Sequence, residues 1–409
     1  MSGLRPTLRQ VIAVMAILAA LAAALFFLAR YWTLEGRAAT LRRAASALAQ
    51  GRNAEVHHQL KNLLWFCPHD AEALRLSGLA SAGKGDYGNA VRDFMKISPE
   101  SPVAKVSRLE LVAVLQADFQ MESSETVLRG YLQDFPDSIP AVLRLTGLLR
   151  MQLRVAEAVS FVRTFIQHPE FGRHSVSDQL SLLIPLAGLQ FDSPQPDAVL
   201  PQLLESLKRH PAQPTVMIAV GRAYVRLGRP EQAVPFLQKA QLLTDSAACG
   251  SAALAEALIL MNDLQAADRV LNCLSEQDGG TLSAEHSELR ARWLEAAGQL
   301  EDAVLEMNTV VRLNPGQSRL RASLGRLYQR LQRAEEAAAE HQKAHELAQA
   351  ELALWRDARN FPDNPTAADC RRIVDLYGRL NCPVESEVWQ NLATALAKEP
   401  SEVRASSDQ

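Results

Sequence analysis

The sequence predicts an all-α protein, a solenoid of about ten antiparallel helix pairs preceded by one transmembrane helix. Three observations carry this expectation. Alanine and leucine fill the chain while aromatics make up only 6% of it, a mixture that favours helix over sheet. Small residues return at a spacing close to 34. An unbroken apolar run of nineteen residues stands near the amino terminus.

Length and charge narrow the class further. A chain of 409 residues buries a large core without metal or disulfide help. Its 43 Lys+Arg against 46 Asp+Glu give no bulk electrostatic reason to seek nucleic acid. With 48% hydrophobic and 22% charged residues, the composition is that of a folding chain.

The apolar run is Val11–Ala29, with arginines on both sides and Tyr31 and Trp32 directly after it. Nineteen helical residues at about 1.5 Å each reach the thickness of a bilayer core, and aromatic rings favour the headgroup level. The run is therefore expected to anchor the chain in a lipid bilayer over residues 11–30. A cleaved signal peptide is disfavoured, because bulky Phe27 stands where cleavage wants a small residue. Arg5 and Arg9 on the short tail favour keeping the tail inside and the large part outside, although Arg30, Arg37, Arg42 and Arg43 on the far flank argue the reverse.

The period organises the rest. A first small residue is followed twelve positions later by a second: Gly78 with Ala90, Gly221 with Ala233, Gly325 with Ala337. The second small site recurs at Val56, Ala90, Ser124 and Ala158 with a spacing of 34, then at Ala233, Ala267, Ala303 and Ala337 at 34, 36 and 34. Two antiparallel helices that approach closely require small residues where they cross. Leu, Val and Phe flank these sites at helical spacing, and turns at Gly85-Asp86, Gly228-Arg229-Pro230 and Gly298-Gln299 split each pair. Proline closes units at Pro68, Pro99, Pro136, Pro169, Pro211 and Pro315. One unit cannot bury its apolar face alone, so the units stack.

The expected layout is a tail over 1–10, an anchor over 11–30, and N-terminal units over 37–170. A degenerate unit over 171–211 follows, with helices near 175–190 and 196–209. C-terminal units fill 212–359, their last helix extended through Glu335–Arg359 as an exposed spur or spacer. A final pair centred on Ser386 occupies 360–399, and a disordered tail 400–409.

Helix–turn–helix units of 34 residues with small, small and proline in this order resemble tetratricopeptide repeats. The resemblance covers residues 37–399 and is most specific in Gly221–Ala240, Ala291–Pro315 and Gly325–Ala344. The family's tryptophan is absent, with Leu74, Leu143 and Met217 in its place, while its tyrosine is met by Tyr224 and Tyr328. The resemblance implies a right-handed superhelix whose concave groove, lined by the first helix of each pair, holds a protein or peptide segment. Membrane-anchored bacterial members of similar layout serve envelope or secretion assemblies. It thus implies a single-pass protein of the bacterial inner membrane with its repeats extracytoplasmic, a cytoplasmic face being the alternative.

Helical phase places Arg222, Arg292 and Arg326 on the groove face, with Arg226 and Arg330 one turn beyond and Arg371 and Arg372 opening the last pair. Guanidinium forks suit carboxylates, so such a row would hold an acidic peptide segment. Glu256, Glu288 and Glu295 share the face, and pairing within it is the competing reading. The Lys and Asn pattern of carboxylate-binding family members finds no match.

His341 and His345 stand four apart, as in a two-histidine metal site, but no third ligand is evident and no metal is expected. The five cysteines form no Cys-x-x-Cys. Antiparallel packing brings Cys249 and Cys273 toward each other without fixing the approach of about 6 Å that a bridge needs, and buried apolar cysteine is the default. No phosphate-binding loop, nucleophile elbow or other catalytic constellation is present in the sequence. The expectation is a membrane-tethered, non-catalytic scaffold without cofactor, small-molecule substrate or nucleic acid, and the alternative is a regulatory subunit of an envelope enzyme complex.

Overall fold

The computed structural model describes residues 36–191, 195–243, 248–277 and 284–398, together with Met15. Among the described residues there are helices and no strands. They fall into two compact units, divided between Asp118 and Phe119.

The first unit holds α1 (36–49), α2 (Asn53–Phe66), α3 (Ala71–Ala82), α4 (Tyr87–Met95) and α5 (Ala104–Ala117). Ala44, Ala47, Val56, Leu60, Ala73, Leu76 and Ala80 form its core. Asp70 starts α3 by accepting from Ala73 N at 3.0 Å, which satisfies one of the orphan amides of a helix start, and it also pairs with Arg37.

The second unit begins with α6 (Met121–Asp134), α7 (Ile139–Met151), α8 (Val155–Ile166) and α9 (Val176–Phe191). A stack follows: α10 (Pro196–Arg209), α11 (Pro214–Arg226), α12 (Pro230–Leu243), α13 (Ala248–Leu260), α14 (Leu264–Gln277), α15 (Ala284–Ala296), α16 (Leu300–Leu313), α17 (Ser318–Arg330) and α18 (Ala334–Arg359). The hairpin α19 (Ala367–Arg379) and α20 (Pro383–Lys398) ends it, opened by a capping box between Thr366 and Asp369.

The small sites lie where the helices cross. Val56, Ala90, Ser124, Ala158, Ala233, Ala267, Ala303 and Ala337 are all buried. A Cβ added to Gly78 would stand 2.8 Å from the Phe94 ring, and one on Gly325 would stand 2.8 Å from the His341 ring. The backbone carries the same register. Gly51, Gly85, Phe119 and Leu153 have positive φ at a spacing of 34, as do Gly228, Asn262, Gly298 and Gln332 at 34, 36 and 34, with Asn381 in the last hairpin. Each stands five residues before a small site. One left-handed residue per turn therefore sets the angle at which the second helix returns on the first.

The second unit closes on itself. At one junction the Phe119 carbonyl accepts from Ser206 Oγ at 2.7 Å and Gln213 Nε2 at 3.2 Å, tying the start of α6 to α10 and α11. At the other, α9 packs on α18. A single apolar core there draws Val162, Leu183 and Leu186 together with Leu354, Tyr377 and Trp389.

Several expectations are corrected or bounded. The transmembrane helix of the expected fold is not found: among the described residues no helix is long and apolar enough to cross a membrane. The longest of them, α18, carries charged residues along its 26 positions. The expected span over 11–30 and the tail over 400–409 lie outside the described residues. Helices do occur near 175–190 and 196–209, but α9 packs on α8 and α18 rather than on α10, because its apolar residues are taken up by the closing core. The extended helix is no exposed spur: Ala337 and Ala344 in its first half and Ala350, Leu354 and Ala358 in its second are buried. In the last hairpin Ser386 is half-buried and its neighbour Glu385 is the buried residue.

Candidate binding groove

Within the second unit, the faces of α11, α13 and α15 line a recess of about 360 Å³. Its opposite wall is the turn from α7 into α8, residues Leu153 to Glu157. Arg154, Arg222 and Arg226 bring positive charge, and Glu157, Glu256 and Glu285 bring negative charge. Leu153, Val155, Ala252, Ala253, Leu274 and Leu289 supply apolar surface, so the recess is a mixed surface and not a basic stripe.

The charges on the α7–α8 wall are committed to one another. Arg154 donates to Glu125 at 2.6 Å and to Glu157 at 2.8 Å, and Arg129 bridges the same two carboxylates at 2.8 and 2.5 Å. Burial opposes the charge on Arg154, but its hydrogen bonds to Glu125 and Glu157 outweigh that and raise its pKa.

The arginine row separates into parts. Arg292 donates to Glu256 at 2.5 Å and Arg330 to Glu295 at 2.8 Å, each reaching the first helix of the preceding hairpin. Arg326 is exposed and donates to Ser323 on its own helix at 2.8 Å. Arg371 is exposed on α19, and Arg372 pairs with Asp369 at 2.8 Å. Arg222 and Arg226 line the recess, whereas Arg292, Arg326, Arg330 and Arg371 are not among its lining residues.

Arg226 differs from its neighbours. No described residue lies within ion-pair distance of it, because Glu256, the opposing charge nearby, gives its carboxylate to Arg292. Its side chain reaches solvent yet stands inside a concave wall. The surrounding protein disfavours its charge and lowers its pKa; Glu256 opposes this, while Arg222 and Arg319 add to it.

Sequence phase missed Arg319, Arg154 and Glu157. Arg319 reaches the same neighbourhood from α17 and pairs with Glu288, whose hydrogen bonds raise its pKa. Arg154 and Glu157 belong to the opposite wall, and their spacing of three residues was a local sign of a pair but not of its place. Elsewhere, His341 packs over Gly325 and His345 lies 2.8 Å from Gln349. Among the described residues no group of three or more His, Cys, Asp or Glu is placed to hold a metal ion. Cys273 is not in a disulfide, so the Cys249–Cys273 bridge is not formed, and the Cys249 side chain lies outside the described residues.

The family model described as tetratricopeptide repeat matches residues 214–245, the hairpin of α11 and α12. The α11–α12 hairpin of this chain is a tetratricopeptide repeat. Solved structures similar to this chain include a thermophilic TPR protein of Thermus thermophilus, at 22% identity over 46% of this chain and 98% of that one, with a TM-score of 0.36. MamA of Desulfovibrio magneticus is 22% identical over 43% of this chain and 98% of its own, with a TM-score of 0.31. A tetratricopeptide repeat protein of Parabacteroides merdae is 14% identical over 71% and 99%, with a TM-score of 0.35. No curated protein matches the chain.

Proposed function

We propose that this repeat protein is an interaction scaffold that holds an extended protein segment in the recess of its second unit, with one carboxylate of that segment on Arg226. The observation that carries this reading is Arg226 itself, a cation in a concave wall without an ion-pair partner among the described residues. The other charges of the recess largely neutralise one another, so a long acidic tract would meet Glu157, Glu256 and Glu285. A single acidic residue flanked by small apolar ones fits the lining better.

Titrating the full chain with short fluorescent peptides tests this. Peptides of the form apolar–Asp/Glu–apolar are expected to bind, and Arg226→Ala to weaken them by roughly 10- to 100-fold, the value of a charge-assisted hydrogen bond. Affinity that is indifferent to Arg226→Ala and to charge reversal at that position would overturn the reading. A regulatory subunit of an enzyme complex would use the same recess and differ in its partner. Stoichiometric co-purification of one enzyme, lost in Arg226→Ala, is the outcome that favours it.

A further inference from the structure

The two walls of the recess are not mechanically equal. The wall made by α11, α13 and α15 belongs to a continuous stack. The other is the start of α8, and α8 has a second attachment. Its N-terminal residues Val155, Ala156 and Glu157 line the recess, while Arg163, six residues on and about 9 Å along the helix axis, reaches α20. Arg163 Nε donates to Glu385 Oε1 at 2.6 Å across a separation of 222 residues. Gln190 of α9 donates to the same oxygen.

The polar part of this attachment is incompletely satisfied. Glu385 is 1% exposed, and its second oxygen, Oε2, has no hydrogen-bond partner among the described residues. Cys382 Sγ lies 3.8 Å from Arg163 Nη2, and burial pushes the Cys382 thiol up to about 11. The apolar core around it is shared: Val162 of α8 and Leu183, Leu186 and Leu354 at the α9–α18 junction belong to one cluster with Tyr377 and Trp389 of the hairpin. A buried carboxylate with one oxygen unsatisfied is the point at which such a core opens at least cost.

We propose that Glu385 is a releasable latch: when the α19–α20 hairpin undocks from α8, the α9–α18 seam acts as the hinge, and α8 moves as a rod to widen the recess. Docking of the hairpin and filling of the recess are then coupled, each altering the equilibrium of the other. The device stands on the geometry of α8 and not on what fills the recess, so it is testable without a ligand.

Hydrogen exchange of the full chain, followed by mass spectrometry, compares the wild type with Glu385→Gln and with the paired apolar replacement Arg163→Met, Glu385→Leu. In Glu385→Gln, residues 367–398 are expected to exchange at least tenfold faster. Residues 153–166 are expected to accelerate with them, while α13 to α16 stay at wild-type rates. The paired replacement is expected to return both segments to wild-type protection or better, as apolar substitutes for buried ion pairs do. Faster exchange in 367–398 with no change in 153–166 would overturn the coupling. Uniform loss of protection across 119–398, or failure of the paired replacement to restore it, would overturn the latch, because the ion pair would then be part of one indivisible core.

Discussion

Gly221 and Leu237 face each other across the α11–α12 crossing so closely that a methyl group on Gly221 would stand 2.5 Å from Cγ and Cδ2 of Leu237. Leu237 is wholly buried and has nowhere to withdraw. Gly221→Ala is therefore expected to cost about 1–3 kcal/mol through overpacking. Gly147, on the exposed face of α7, has open space around it, and Gly147→Ala should gain about 0.5–1 kcal/mol from helix propensity alone. Urea unfolding of the two variants decides whether contact or propensity governs these glycines.

Of the left-handed turn residues, Gln332 at φ 58° is exposed, and Leu153 at φ 57° is buried. Gln332→Gly should raise the thermal midpoint, because relief of left-handed strain, about 1 kcal/mol, exceeds what an exposed side chain loses. Leu153→Gly relieves the same strain but removes a buried side chain, and should lower stability by about 1–3 kcal/mol. Opposite signs at equivalent backbone positions are the expected result.

In the first unit, Ser77 Oγ and Ser81 Oγ each lie 3.4 Å from a ring nitrogen of His57, and Ser77 donates to Asp93 at 2.7 Å. Burial, helped by Lys84 and opposed by Asp93 and Asp86, holds His57 below its ordinary 6.5. The unfolded chain thus takes the proton more readily than the folded one. Stability from neutral His57 is complete above pH 6.5 and is lost as pH falls from there through the lowered folded value. Exchange protection in α2 to α4, corrected for intrinsic rates, should decline over that window and be flatter in His57→Gln.

Arg75 links α3 to α5 by a two-pronged contact with Glu110, at 2.6 and 2.8 Å, which supports its charge against partial burial. Arg75→Ala should cost on the order of 1 kcal/mol in stability, and a double-mutant cycle with Glu110→Ala should return a coupling of similar size. Additive single effects would mean that solvent already meets both groups equally well.

The crossings were readable because small residues at Val56, Ala90 or Ala233 answer to contacts within one hairpin, and hairpins repeat. The left-handed register escaped notice because only Gly51, Gly85, Gly228 and Gly298 announce it, while Phe119, Leu153, Asn262, Gln332 and Asn381 adopt it under tertiary constraint. Helical phase placed Arg222 and Arg226 on the face that lines the recess. It could not decide that Glu256 would serve Arg292, since that choice depends on how successive hairpins are offset. Closure left no periodic trace at all, because Arg163 and Glu385 meet once, across 222 residues.

That closure also fixes a number. An open stack grows by duplication, since an added stretch of 34 residues is one more rung. Between α10 and α18 such a rung would carry the two junctions apart by about 10 Å, one helix spacing, and part α9 from α18. In-frame duplications or deletions of whole repeats inside residues 196–359 are thus expected to break the closure however well each repeat folds, whereas substitutions that keep the length leave its circumference intact.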